Sequence, residues 1–372
     1  MDSFLHILTS YVLPFIMVIG PVIFIHELGH FLAAKAVGIR VERFSIGFPP
    51  RMVGKKIGET DYCLSWLPVG GYVKMAGMID ESLDNPETIT GAPDEFMSKN
   101  SAQKMLVISA GVIMNVILAA GIYVGITLFE GVPEIKEPIV DTVSPAMPAD
   151  SAGMQAGDRI MAIDGQAVAN WDEVIAIIHN SPGRPVRVAW ERDGDRLEAT
   201  ITPKLSVAPV GPGGDDREIG LIGITPRPSF RPVGFFEAVG TGFQLTWANA
   251  RLVVGSLWKL VSGQASVKEI GGPIAIAKMS GDVAKGGAAS LTIWIALMSI
   301  NIGLLNLLPI PALDGGHLAM ITVEAIRRKP ITSRIKMVMQ QVGMVLLLVL
   351  MVLVLFQDAG RIGLFGKIKG MF

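Results

Sequence analysis

Four stretches of this chain run for about twenty residues, the length a helix needs to cross hydrocarbon, without an aspartate, glutamate, lysine or arginine. They are Ile7–Ile25, Met105–Phe129, Ala288–Leu308 and Met337–Phe356. In lipid every backbone polar group must be satisfied internally, so each stretch reads as a transmembrane helix. Half of the residues are hydrophobic and 17% are charged, and the mean hydropathy of +0.49 points the same way. The first stretch lacks the basic start and the small-residue cleavage site of a signal peptide, and its helical pattern continues through 26–37. It is read as a retained span. A net charge of −1 disfavours a nucleic-acid partner. The single Cys63 rules out an internal disulfide and any cysteine-based zinc cluster.

Lysine and arginine in short loops set orientation. Segment 31–104 carries Lys35, Arg40, Arg43, Arg51, Lys55, Lys56, Lys74, Lys99 and Lys104. The link after the third span carries Arg327, Arg328, Lys329, Arg334 and Lys336. Both are expected on the cytoplasmic side, which puts both chain ends and the long 130–287 segment outside. The basic tail at Arg361, Lys367 and Lys369 pulls weakly against this.

Between the spans the chain divides as follows. Residues 1–38 are the first span. Residues 39–100 hold β-hairpin material, with turn chemistry at Gly70 and Gly71, and then an acidic, Pro/Gly-punctuated loop. Residues 101–130 are the second span. Residues 131–228 hold a small α/β module with its core at 135–205: a strand at Arg159–Ile163, a helix from Trp171 capped by Asn170 and Glu173, and a hairpin turning at Asp193-Gly194. A GPGGDD linker and a short IGLIGITP strand follow. Residues 229–287 contain an amphipathic helix that suits either a membrane surface or packing on the module. Residues 288–372 are the last two spans.

Inside the first span lies H-E-L-G-H, residues 26–30. Positions i and i+4 share one helix face, so His26 and His30 can hold one zinc ion. Glu27 lies about 100° round, where it can orient a water at the metal and take its proton. Ionisable groups in a membrane span are costly, and this makes a functional reading the default. A catalytic zinc needs a third protein ligand and one open position. The segment NIGLLNLLPIPALDGGH, 301–317, offers Asp314 and His317, and spacing alone excludes neither. Pro309 and Pro311 break the helix there, which is tolerated at membrane depth only in a protein interior or a wet cavity.

Taken together, HELGH at 26–30, NLLPIPALDG at 306–315 and GGPIAIAK at 271–278 resemble the site-2 protease family of intramembrane zinc metalloproteases, in its RseP group. The resemblance covers nearly the whole chain. It implies a polytopic α-helical membrane protein with four transmembrane helices, a membrane-associated β-hairpin region and one inserted extracytoplasmic PDZ domain in circularly permuted form. It implies one catalytic zinc held by His26, His30 and Asp314, with Glu27 as general base, and it disfavours His317. It suggests that Asn306, beside Pro309, meets substrate backbone. The bacterial inner membrane is the implied location. Expected partners are the lipid bilayer, single-span membrane proteins such as a membrane-anchored anti-sigma factor, and peptide C-termini at a PDZ groove beside Ile139, Val140 and Val143. Two departures stand out: there is room for one PDZ domain where the group often has two, and Pro49 replaces a common glycine.

A helical substrate must unwind locally before water can attack it, and an unpaired extended segment is expensive in lipid. The 61–76 hairpin, including Gly70 and Gly71, is a candidate edge for strand addition; it could equally only pack the enzyme. A membrane scaffold and a metal transporter are the competing functions. The intact Glu27 argues against the first, and a peptide-binding module fits the second poorly.

Overall fold

A computed structural model describes residues 2–78, 90–209, 216–264 and 271–361. Residues 79–89 of the acidic loop, the GPGGDD linker apart from Asp216, and Lys367 and Lys369 of the tail lie outside the described residues. The chain forms two units, one made of residues 1–126 and 235–372, the other of residues 127–234.

The first unit opens with helix α1 (Asp2–Ile7), a π-helical turn at Leu8–Val12, and α2 (Leu13–Ala36). Strands β1 (Val41–Ile57) and β2 (Thr60–Met75) follow, then α3 (Ser101–Glu130). Among the described residues four helices are long and apolar enough to cross a membrane: Leu5–Ala36, Ser101–Glu130, Ala288–Asn306 and Ser333–Asp358. These contain or match the four charge-free runs of the sequence. Their mates in contact are themselves apolar: Val18, Ile19 and Val22 of α2 pack with Met298 of the third span.

β1 and β2 each bend and pair twice. Residues 41–46 of β1 lie between two parts of β2, with Ile46 opposite both Leu64 and Gly71, while 51–57 pairs back onto 60–65. The strand order is therefore 51–57, 60–65, 41–46, 71–75, and among the described residues the last segment is an edge. The tight turn falls at Gly58-Glu59, where Gly58 takes φ +62. Gly70 and Gly71, expected to form a turn, instead lie inside β2. Asp61 is gripped by Arg51 at 3.1 Å and Arg43 at 3.3 Å. The hydrogen bond from Arg51, and then the two guanidinium charges, hold its carboxyl below the ordinary aspartate range.

The second unit contains β3 (Val132–Glu134), β4 (Val140–Val143), α4 (Pro148–Ser151), β5 (Arg159–Ile163), β6 (Gln166–Ala167), α5 (Trp171–His179), β7 (Val186–Arg192), β8 (Asp195–Ile201), β9 (Lys204–Pro209), β10 (Asp216–Leu221), β11 (Ile224–Pro226) and β12 (Ser229–Arg231). Its main sheet has the order β6-β5-β7-β8. Asn170 caps α5 by accepting from the Glu173 amide at 3.0 Å. The Glu173 carboxylate returns to the Ala169 amide at 2.8 Å, one residue before the reciprocal bond of a capping box. Val174 and Ile178 of α5 are buried in the core. That core also takes in Ile222, with Ile224 packed against it, so it extends past residue 205. β3 pairs with β12, Val132 opposite Arg231, and this closes the unit beyond the expected 131–228 limits.

The first unit resumes with α6 (Phe235–Val261), α7 (Pro273–Ala284), α8 (Ala288–Asn306), α9 (Asp314–Arg327) and α10 (Ser333–Arg361). The buried face of α6 carries Ala238, Gly242 and Thr246. Gly242 faces Val124 of α3, and Ala250 and Val253 join a cluster with Ala119, Ala296 and Ile300. Phe236, Trp247 and Trp258 face outward. α7 starts at Pro273 without a cap of its own. Asp358 of α10 supplies one, accepting from the amides of Gly272 at 3.2 Å and Ala275 at 3.0 Å.

Candidate metal centre

Two helices bring the candidate ligand atoms together. α2 presents His26 and His30 from successive turns, both buried. After Asn306 the chain leaves the helix, passes Pro309 and Pro311, and re-enters one at Leu313. Asp314 is then the first residue of α9 and points back at the histidines. Gly315 permits this turn: a Cβ there would stand 2.2 Å from the carbonyls of Leu307 and Leu308.

Asp314 Oδ2 lies 3.2 Å from His26 Nε2 and 3.4 Å from His30 Nε2, and the two imidazole nitrogens are 3.3 Å apart. A tetrahedral zinc with bonds of about 2.0–2.1 Å places its ligand atoms about 3.3–3.4 Å from one another. The three atoms therefore form one face of a zinc-sized tetrahedron. Asp314 Oδ2 is buried without a hydrogen-bond donor. A buried carboxylate oxygen in this state calls for a cation. His30 Nδ1 lies 2.9 Å from the Val107 carbonyl, which can only accept, so the proton sits on Nδ1 and the Nε2 lone pair is free. These donors fit zinc.

His317, the competing ligand, lines the same cavity but does not belong to the ligand cluster. The cavity measures about 850 Å³. Its walls include Glu27, Ile19 and Ile23 from α2, residues 70–75 of β2, Pro273 and Ile276 of α7, and Asn306. The structure thus places Glu27, Asn306, Gly70 and Gly71 around one space with His26, His30 and Asp314, which could hold a metal ion. Pro309 is not among the lining residues and acts on the path of the chain instead. Asn306 Nδ2 stands 3.2 Å from His26 Nε2.

In the second unit, Ile139, Val140 and Val143, expected beside a peptide groove, have backbone partners within the chain. Val140 is fully buried, and its amide and carbonyl are bonded to Asp158 and Gly157, each at 2.8 Å. The Ile139 carbonyl accepts from Arg227 at 2.8 Å, and Val143 is paired with Ile224. Val140 N–H and C=O and the Ile139 carbonyl are thus all engaged by this chain itself.

Sequence reasoning passed over one residue that shapes the centre. Gly111 of α3 faces both imidazoles: a Cβ there would lie 2.4 Å from His30 Nε2 and 2.8 Å from His26 Cε1. Nothing in the local sequence distinguishes Gly111 from the other glycines of the second span.

A sequence model described as peptidase family M50 matches residues 14–350. The zinc metalloprotease RasP of Geobacillus kaustophilus is 30% identical, over 93% of this chain and 97% of its own. A putative zinc metalloprotease of Clostridium perfringens is 36% identical, over 94% and 98%. The regulator of sigma-E protease RseP of Escherichia coli is 29% identical, over 97% and 100%. Among solved structures, the PDZ domain of an SdrC-like protein from Listeria monocytogenes is 26% identical, with a TM-score of 0.19, over 25% of this chain and 90% of that one.

Proposed function

Because this chain belongs to peptidase family M50 and is with it a membrane zinc metalloprotease, we propose that it is an intramembrane endopeptidase cutting single-span membrane proteins. The observation that carries the reading is the zinc-sized triangle of His26, His30 and Asp314 opening on the same cavity as Glu27. Zinc, when bound, supplies a Lewis acid that makes water acidic enough to deprotonate near neutral pH. Glu27 takes that proton and later delivers it to the leaving amine. Asn306 holds the substrate carbonyl beside the reacting centre by donating from Nδ2. The apolar walls formed by Ile19, Ile23 and Ile276 receive substrate side chains.

The edge segment 71–75 of β2 forms one wall of the cavity. It offers backbone groups to an unwound substrate segment, which otherwise would leave its own unpaired in lipid. On this reading the β1–β2 sheet and the α9–α10 link face the cytoplasm, where lysine and arginine are concentrated, and the inserted unit faces the opposite side. We read that unit as a PDZ module whose peptide groove runs along β11, since β11 pairs only with β4 among the described residues. Ile224 of β11 belongs to the same core as Val174 and Ile178 of α5, the helix that would form the other wall. Membrane-anchored anti-sigma factors are the substrate class we infer, on the strength of the name of the RseP relative, a regulator of sigma-E.

The test is Glu27→Gln in reconstituted membranes with a model transmembrane substrate. The expected result is retained zinc with cleavage reduced by a factor on the order of 10²–10⁴. Unchanged cleavage would sink the assignment of the base, and cleavage of soluble unfolded chains alone would sink the intramembrane substrate.

A further inference from the structure

Asn115 of α3 is fully buried, and its side-chain Oδ1 has no hydrogen-bond partner. Its Nδ2 stands 3.3 Å from His26 Nδ1. On the other side of the same imidazole, Asn306 Nδ2 stands 3.2 Å from Nε2. A neutral imidazole has one N–H and one lone pair, so it cannot accept from two amide NH₂ groups at once. The position of Asp314 and His30 decides which nitrogen keeps its lone pair. Nε2 points into the ligand triangle, so the proton belongs on Nδ1, and whatever faces Nδ1 must accept it. Turning the Asn115 amide by 180° exchanges O and N without moving the side chain, and it puts Oδ1 there.

We propose that Asn115 is a positioning residue whose side-chain carbonyl accepts the His26 Nδ1 proton, fixing the tautomer and ring orientation that present Nε2 to zinc. The second imidazole is held in the same way from the same helix. Val107 supplies a carbonyl to His30 Nδ1, and Val107, Gly111 and Asn115 recur every four residues on one face of α3. That face thus provides an acceptor, a space for both rings, and a second acceptor. Asn115 is itself fixed by α8: its backbone carbonyl accepts from Ser299 Oγ at 2.8 Å, and its Cβ lies 3.3 Å from where a Cβ on Gly303 would stand. The inference rests on the zinc reading of the triangle but concerns a residue outside it.

The test uses the full chain purified in nanodiscs, with zinc affinity measured by competition against a chromophoric chelator. Asn115→Leu keeps the volume and removes the acceptor; zinc should bind about 10–100-fold more weakly, the usual effect of losing an outer-shell partner. Asn115→Asp keeps an acceptor and removes the donor; its zinc affinity should stay within about threefold of the parent, or tighten. Affinity in Asn115→Leu equal to the parent would overturn the proposal. So would a tenfold or greater loss in Asn115→Asp, because that would mean the amide donor is what His26 needs. If Asn115→Leu does not fold, Asn115→Asp alone decides. Loss of zinc in Glu27→Gln, a side chain outside the triangle, would instead count against the metal centre as described.

Discussion

The edge of β2 rests on the carboxylate proposed as base: a Cβ on Gly71 would stand 3.0 Å from Glu27 Cγ and 3.1 Å from Ile23 Cγ2. The 71–75 edge and the Glu27 side chain are therefore packed as one object. Gly71→Val has no room and should shift the edge away from Glu27. The expected outcome is a fall in kcat of tenfold or more with zinc content unchanged, since a misplacement of about 1 Å can cost on the order of 10²-fold. Metal analysis alongside single-turnover cleavage checks this, and zinc loss in the variant would refute the explanation.

Gly111→Ala should act on the metal instead. Its methyl would occupy space now taken by His30 Nε2. Zinc content after purification should fall at least tenfold while helix content by circular dichroism is kept. A variant retaining stoichiometric zinc would show that the rings do not lie against α3.

His317 and Asp314 give a paired comparison. Asp314→Asn removes an anionic ligand and should leave the purified protein without zinc. His317→Asn should keep zinc at stoichiometric level. Equal loss in both would restore His317 as a ligand.

Asp358→Ala removes the cap of α7 and leaves the Gly272 and Ala275 amides without their acceptor. Leaving buried donors unsatisfied costs about 1–3 kcal/mol. Thermal unfolding in nanodiscs should show that loss, and activity should fall too because Pro273 and Ile276 line the cavity.

The pH response of the β1–β2 sheet follows from Asp61. Its carboxyl is held below its unfolded value by Arg51 and Arg43. A depressed carboxyl stabilises the fold fully above the unfolded pKa of about 3.9, and the gain disappears as pH falls through the lower folded value. The sheet should thus be insensitive to pH from 5 upward, a range chosen about one unit above that pKa. Asp61→Asn should remove the acid-side dependence, read by hydrogen exchange of 60–65. An unchanged acid profile in the variant would dismiss Asp61 as its source.

The parts of this molecule that local sequence reveals are those built from local contacts. Asn170 and Glu173 announce α5 because a cap and its partner are three residues apart, and His26 and His30 announce a candidate metal site because one helix face carries both, with Glu27 about 100° round from it. Asp314 was legible through the prolines beside it and through resemblance. Gly111 and Asn115 were not, since what makes them matter is the crossing of α3 over α2, and no spacing along either helix encodes that crossing. The pairing of β4 was hidden for the same reason: it takes its partner from Ile224–Pro226, far along the chain.

The interrupted first unit has a consequence for biosynthesis. His26 and His30 leave the ribosome early, but Asp314 is made only after the whole 127–234 insertion has been translated. On the proposed ligand set, a chain ending before residue 314 holds two of the three ligands and would bind zinc poorly. Such a chain would be inert, and zinc-dependent cleavage would begin only after Asp314 has been added.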